Sequence, residues 1–190
     1  MKRFHFICIL IVCTILIASS VLAQNTLDNA GLTSASPPAS AYSLRKLSSS
    51  YSGNAVQVRR SSDNTTQDIG FTVSGNLDTT TLKTFVGSGN GFITIWYDQS
   101  GNGRNLTVTS ASNQPSIINA GVIYRRSEQP AVYFDGDDGM FFSGSDYLTA
   151  LPLSVSVVAG SNSSSTGFRR AVQGTNNWLI GPYGNTHGWY

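Results

Sequence analysis

The residues best suited to catalysis or ligand binding form a polar turn that directly follows an apolar run. Residues 96–106 read WYDQSGNGRNL, so a hydrophobic strand leads into an acid, amides, a hydroxyl and two glycines. In one interpretation the turn is structural, with Asp98 and Asn102 bonding their own backbone and Gly101 and Gly103 supplying positive φ. In the other, Asp98 and Asn102 are ligands of a calcium loop or contacts on a sugar-binding rim, because oxygen ligands suit a hard cation.

Further acids gather in a second glycine-rich turn. Asp135 and Asp137 are candidate calcium ligands there, and Asp138 and Asp146 lie close by in the sequence. Glu128 is the single glutamate of the chain and lies in a predicted solvated loop. No cofactor is required by any of these patterns, and calcium is the one metal they suggest. No pair of carboxyls can be named as acid and nucleophile, so the catalytic residues stay unidentified.

Aromatic residues near the end of the chain are candidates for carbohydrate binding. Trp178, Tyr183 and Trp189 could stack on sugar rings, although aromatic side chains in a sandwich more often belong to the core. Three sequons for N-glycosylation are also present, which matter in a eukaryotic host: Asn64-Thr65-Thr66, Asn105-Leu106-Thr107 and Asn162-Ser163-Ser164.

Four separate motifs carry a family resemblance. The runs AYSLR at 41–45, VQVRRSSDN at 56–64, TQDIGF at 66–71 and IWYDQSGNG at 95–103 are similar in order and spacing to the start of the α-L-arabinofuranosidase B catalytic domain of family 54 glycoside hydrolases. The run QPAVYFDG at 129–136 extends the resemblance. The turn also resembles that of concanavalin A-like (laminin G-type) modules, many of which only bind glycans.

The resemblance implies an all-β, jelly-roll β-sandwich with one or two short helices near its start. It also implies hydrolysis of terminal α-L-arabinofuranosyl groups of arabinan-type polysaccharide. The family places its carboxylates later in the domain, near vicinal cysteines, and no such motif follows Phe134. A non-catalytic glycan-binding or adhesion module of the same fold, or a purely structural sandwich, therefore stays open.

The N-terminus predicts export. Lys2 and Arg3 precede an apolar run over residues 7–18, and Val21-Leu22-Ala23 predicts cleavage before Gln24. The expected organisation is a signal peptide at 1–23, a Ser/Pro-rich extended leader at 24–40 and an incomplete sandwich domain at 41–190. We expect a secreted or cell-surface protein that does not contact the membrane after cleavage. Its expected partners are a polysaccharide or glycan and further domains of a longer chain.

Charge and cysteine content exclude several classes of protein and of site. Loss of Lys2 and Arg3 leaves ten basic against ten acidic residues, which gives no electrostatic footprint for nucleic acid. Cys8 and Cys13 both lie within the predicted signal, so the mature chain has neither disulfides nor thiolate metal ligands.

Local patterns predict the secondary structure. Asp78 should cap a helix of two to three turns that ends at Gly87, and residues 41–47 should form a helical turn. Residues 92–97 predict a central strand, with Ile95 and Trp96 in the core. Further strands are predicted at 55–60, 106–109, 116–118, 122–125, 131–134, 140–142, 153–158 and 170–173.

Overall fold

Strands in antiparallel sheets form most of the regular structure. The computed structural model describes residues 25–32, 35–136, 138–142, 154–160, 172–173 and 179–180. Each strand pair within these ranges is antiparallel, and the helices among them are short. The predicted all-β class is confirmed.

A six-stranded sheet forms the frame. Its hydrogen-bonded order is β2-β1-β3-β5-β6, and β4 also pairs with β3. The strand β3 therefore has neighbours on both sides, as its apolar sequence predicts. The bounds are β1 Val56–Arg60, β2 Thr66–Ile69, β3 Gly91–Trp96, β4 Leu106–Thr107, β5 Ser116–Asn119 and β6 Val122–Ile123.

The remaining elements are small. Helix α1 is Thr26–Asn29, helix α2 is Thr79–Val86, and a 3-10 turn covers Ala111–Asn113. Strands β7 (Arg125–Arg126) and β8 (Gln129–Pro130) form a hairpin. The chain divides into two compact units after residue 143. In the second unit, β9 (Val172–Gln173) pairs with β10 (Leu179–Ile180). None of the helices in the described ranges is long and apolar enough to cross a membrane.

The core lies on one face of the large sheet. Val58 and Ile93 are fully buried and face each other across β1 and β3, and Leu82 of α2 is fully buried in the same cluster. Burying one such aliphatic side chain contributes about 1.5–3 kcal/mol. Alternation along β1 then assigns the polar Gln57 and Arg59 to the opposite face.

Helix α2 follows its sequence signals. The Asp78 carboxylate accepts hydrogen bonds from the Thr81 N–H at 3.0 Å and from the Thr81 hydroxyl at 2.7 Å. Gly87 ends the helix with φ 67°, and its N–H donates to the Lys83 carbonyl. The predicted cap, length and end of this helix are confirmed.

A β-bulge in β3 changes one core prediction. Val58 faces Ile93 and Gln57 faces Ile95, so Thr94 is the extra residue on β3. The bulge returns Trp96 to the core face, where it packs against the buried cluster. Ile95 is only half-buried and lies outside that cluster, so its predicted core position is wrong.

The predicted helical turn at residues 41–47 is wrong. The segment contains no helical residue, and its backbone hydrogen bonds go to distant partners rather than within one turn. Lys46 N–H donates to the Gly75 carbonyl at 2.8 Å, and Arg45 forms a bridge with Asn76. Buried Leu44 satisfies the apolar spacing that suggested a helix.

Three predicted strands are also wrong in the part that the structure describes. Tyr133 and Phe141 form only isolated bridges, to Ser116 and Thr107 respectively. Residues 154–160 show no strand. The predicted strand at 170–173 is seen at Val172–Gln173.

The N-terminal segment, residues 25–40, differs from the extended leader that its composition predicts. Its first residues form α1, and Leu27 N–H donates to the Leu47 carbonyl at 2.9 Å. The Asp28 carboxylate accepts from the Ser48 hydroxyl at 2.7 Å and from the Ser49 N–H at 2.8 Å. These contacts attach the segment to the sheet domain.

Candidate functional site

Asp98 organises the polar turn of residues 98–105, here called the Asp98 turn. The residue is only 4% exposed. Its Oδ1 accepts from the N–H groups of Ala41 and Ser100, both at 2.9 Å. Its Oδ2 accepts from the Ser100 hydroxyl at 2.7 Å and from the Arg104 N–H at 3.0 Å. Each carboxylate oxygen thus accepts two hydrogen bonds, which favours the structural interpretation of this acid.

The other predicted turn residues fix the backbone. Gly101 and Gly103 have φ of 89° and 70°, a region that favours glycine. The Asn102 side chain donates to the carbonyls of Pro38 and Ala39 at 2.9 and 3.1 Å. Asn102 therefore joins the turn to the N-terminal segment.

Gln99 is a second buried side chain that hydrogen-bonds to several backbone groups. The sequence analysis did not identify it. It is 3% exposed, and its Oε1 accepts from the Leu47 N–H at 2.8 Å. Its Nε2 donates to the carbonyls of Ser43 and Arg45 at 2.9 and 3.0 Å. An amide in the turn after a strand gave a weak signal, because its partners lie more than fifty residues away in the sequence.

A small cavity of about 130 Å³ lies between the N-terminal segment and the Asp98 turn. Leu27, Pro37 and Tyr51 contribute to its lining, together with Gln99 and Gly101. The Gln99 amide already bonds to backbone groups, as described above. Burial, and then the charge of Asp98, raise the pKa of the Tyr51 phenol above its ordinary value.

Calcium binding at the acidic candidates stays a prediction. Both oxygens of Asp98 accept protein hydrogen bonds, and Asp135 is exposed with its N–H donating to Asp138 Oδ2 at 2.9 Å. Asp137 lies outside the described residues. Within the described ranges, no group of three or more His, Cys, Asp or Glu side chains is placed to hold a metal ion.

A polar cluster on the sheet was not predicted. We call it the Asp68 network, and it consists of Gln57, Asp68, Thr94 and Tyr97. Asp68 Oδ1 accepts from the Tyr97 hydroxyl at 2.8 Å and from Gln57 Nε2 at 3.1 Å, and the Thr94 hydroxyl donates to Gln57 Oε1 at 3.0 Å. Burial and the Asp68 hydrogen bond raise the pKa of Tyr97. The exposed carboxylate is thereby oriented on the face opposite the core.

A cation–π pair lies on the same polar face of the sheet as the Asp68 network. Its cation is Arg59, two residues after Gln57 on β1. The Arg59 guanidinium carbon lies 4.8 Å from the centre of the Phe92 ring. Arg59 Nε also donates to Gln114 Oε1 at 2.7 Å, and Gln114 is buried. The Arg59 guanidinium thus covers one face of the Phe92 ring, on the same side of the sheet as the Asp68 network.

Four other described carboxyl groups have structural roles. Asp28 binds the N-terminal segment to the sheet domain, and Asp63 forms an ion pair with Arg60. Asp78 caps α2, and Asp98 organises the Asp98 turn. Glu128 is exposed at the tip of the β7–β8 hairpin with φ 65°. Asp68 belongs to β2 and lies on the polar face of the sheet, opposite Gln57 of β1. The carbohydrate-binding candidates Trp178, Tyr183 and Trp189 lie outside the described residues.

Comparison with known families explains the motifs of this site. The profile of the family described as "Alpha-L-arabinofuranosidase B, catalytic" matches residues 31–145, which is more than half of the chain. The chain belongs to this family. The matched range contains both the Asp98 turn and the Asp68 network, and the antiparallel strands agree with the predicted concanavalin A-like sandwich class.

Curated relatives of this arabinofuranosidase B family member are fungal. "Alpha-L-arabinofuranosidase B" from Aspergillus niger and its Aspergillus kawachii counterpart are each 47% identical over 64 residues. The aligned stretch covers 33% of this chain and 13% of each relative. A solved structure, "Crystal structure of arabinofuranosidase complexed with arabinofuranosyl-alpha-1,2-xylobiose", is 37% identical with a TM-score of 0.38, covering 42% of this chain and 19% of that one.

Proposed function

We propose that this protein is a secreted glycoside hydrolase that releases terminal α-L-arabinofuranosyl groups from arabinan-type polysaccharide. The observation that carries the proposal is the match of residues 31–145 to the arabinofuranosidase B catalytic family. The curated relatives, which are named as alpha-L-arabinofuranosidase B, support the same substrate class. A catalytic family favours hydrolysis over a module that only binds glycans.

The chemistry requires two carboxyl groups on either side of the glycosidic bond. One protonates the leaving oxygen, and the other attacks the anomeric carbon or activates water. Neither role is assigned to a residue of this chain. We assign Asp68 to substrate binding, because carboxylate oxygens are acceptors that can bond sugar hydroxyls. Tyr97 and Gln57 hold it in place on the polar face.

Export is part of the proposal. The basic residues Lys2 and Arg3, the apolar run and the sequence Val21-Leu22-Ala23 support a cleaved signal peptide. A polysaccharide substrate outside the cell also requires a secreted enzyme. The N-terminal segment that would follow the cleavage carries the docked helix α1.

The test is arabinose release by the purified protein from an aryl α-L-arabinofuranoside and from arabinan. We expect turnover in wild type and a KM about tenfold higher in Asp68→Asn, a loss of about 1.4 kcal/mol of binding. Glu128→Gln is the matched control, because this exposed carboxyl lies at a hairpin tip. Retention on an arabinan column without turnover would favour the glycan-binding alternative. Loss of turnover in Glu128→Gln would make Glu128 catalytic, and an unchanged KM in Asp68→Asn would contradict the assignment of Asp68 to substrate binding.

A further inference from the structure

Two of the three sequons lie within the described residues, and they differ in structure. Asn64-Thr65-Thr66 lies at the turn between β1 and β2, whereas Asn105-Leu106-Thr107 ends the Asp98 turn and enters β4. The third sequon, at Asn162, lies outside the described residues. A glycan on a folded domain needs a surface position with space around the asparagine side chain.

Asn64 meets this requirement. It is exposed at the hairpin tip with φ 61°, in the left-handed region that asparagine tolerates. Thr65 and Thr66 are exposed as well. Asn64 Oδ1 accepts from Arg59 Nη1 at 2.7 Å, which fixes the orientation of the carboxamide. Its Nδ2, the atom to which a glycan is attached, is therefore the end left for modification.

Asn105 does not meet the requirement. It is half-buried, and its Oδ1 accepts from the Asp98 N–H at 3.0 Å. The threonine of this sequon, Thr107, is paired with Ile95 of β3 and bridged to Phe141. An oligosaccharide here would lie against a turn that the fold packs closely around Asp98.

We propose that Asn64 carries an N-linked oligosaccharide and that Asn105 does not. The inference rests on the export included in the proposed function and requires a eukaryotic secretory pathway. The donor is an oligosaccharide linked to a lipid diphosphate. A bond forms between Asn64 Nδ2 and the anomeric carbon as the bond from that carbon to the diphosphate oxygen breaks. One amide proton leaves Nδ2, and the lipid diphosphate departs with the electron pair.

The position has a physical consequence for the sheet. Among the strands that the structure describes, β2 lies at the edge of the large sheet, and its first residue, Thr66, is the last residue of the sequon. Unpaired strand edges favour association with other chains, and proteins often cover or charge them. A hydrated oligosaccharide on Asn64 would shield the start of this edge. We therefore expect the enzymatically deglycosylated protein to associate more readily than the glycosylated form.

The experiment is translation of the full chain with endoplasmic reticulum microsomes, followed by protease protection and glycosidase digestion. Asn162→Gln is present in every variant, so that only the two described sequons are read. We expect one glycosidase-sensitive band shift in this parent and in Asn105→Gln, and no shift in Asn64→Gln or Thr66→Ala. Thr66→Ser keeps the sequon and should keep the shift.

Each alternative result has a separate meaning. A protease-protected chain without a glycan on Asn64 would overturn this inference and leave the proposed export intact. A chain that the protease digests completely would overturn both. A second shift that disappears in Asn105→Gln would refute the selectivity between the two sites. Mass spectrometry of the two peptides identifies the modified asparagine directly.

Discussion

The Asp98 carboxylate accepts a hydrogen bond from the Ala41 N–H at 2.9 Å, across 57 residues of chain. The same oxygen accepts from the N–H of Ser100, two residues later. One buried acid thus closes a local turn and also binds Ala41, the residue that directly follows the N-terminal segment. The Asp98 turn therefore contributes to the stability of the domain fold.

Asp98→Ala should destabilise the fold strongly. It would leave the partly buried N–H groups of Ala41, Ser100 and Arg104 without their acceptor, and an unmet donor costs about 1–3 kcal/mol when it is fully buried. We expect the free energy of unfolding to fall by about 3 kcal/mol or more in urea denaturation. Glu128→Gln serves as the control and should stay within about 0.5 kcal/mol of wild type. Equal stability of Asp98→Ala and wild type would contradict the structural role.

Trp96→Ala should cost far more stability than Ile95→Ala. The bulge at Thr94 places Trp96 on the core face and leaves Ile95 outside the buried cluster. Truncation of a packed tryptophan costs about 3–5 kcal/mol, and we expect about half of that or less at Ile95. Thermal unfolding of the two variants compares them directly. A larger loss at Ile95 would show that the bulge is misplaced.

Attachment of the N-terminal segment should weaken only in strong acid. Hydrogen bonds from the Ser48 hydroxyl and the Ser49 N–H lower the pKa of Asp28 from 3.8 to about 2. A lowered pKa means that the stabilisation is present above about pH 4 and is lost as the pH falls through about 2. The protection of the Ser49 amide, measured as its exchange rate relative to the intrinsic rate at each pH, should therefore fall over this interval. In Asp28→Asn this fall in protection should disappear, and an unchanged protection profile in this variant would exclude Asp28 as its source.

Tyr97 should remain protonated at alkaline pH at which ordinary tyrosines ionise. Burial, and then the hydrogen bond to Asp68, raise the pKa of Tyr97 above its usual value of 10. Because the folded-state pKa is raised, this stabilisation is present below about pH 10 and is lost as the pH rises further. NMR titration of labelled tyrosine measures the ionisation. Asp68→Asn should shift the Tyr97 pKa downward while Glu128→Gln leaves it unchanged, and no shift in Asp68→Asn would refute the coupling.

Secreted protein should begin at Gln24. The basic residues, apolar run and Val21-Leu22-Ala23 together predict cleavage after Ala23. N-terminal sequencing of the secreted product measures the cleavage site. Ala23→Asp should block cleavage at this position, whereas Gln24→Ser should not. A mature chain that begins at Met1 or within the apolar run would disprove the predicted signal peptide.

Local signals were sufficient where the interacting groups are close in sequence. Asp78 and Gly87 define helix α2 because a cap bonds to residues within one turn. The apolar sequence around Ile93 likewise predicts a central strand. The segment at 41–47 was mispredicted for the opposite reason, since its backbone partners, such as Gly75, are remote.

In the candidate site, likewise, only the part with local sequence signals was predictable. The polar composition of the Asp98 turn marks it in the sequence, and its glycines indicate positive φ. No local sequence pattern indicates the Asp68 network. Tyr97 and Asp68 are 29 residues apart, and they meet only because β2 and β3 both flank β1.

The sequence by itself determined the all-β class, helix α2, the central strand and the motifs of the arabinofuranosidase B family. Tertiary structure decided that Trp96 rather than Ile95 enters the core, that the N-terminal segment is anchored, and that Asp68 meets Tyr97. The physical reason is that propensities and caps act over a few residues. Strand register, by contrast, depends on the packing of the whole sheet, and an added residue in one strand transfers the following side chains to the other face.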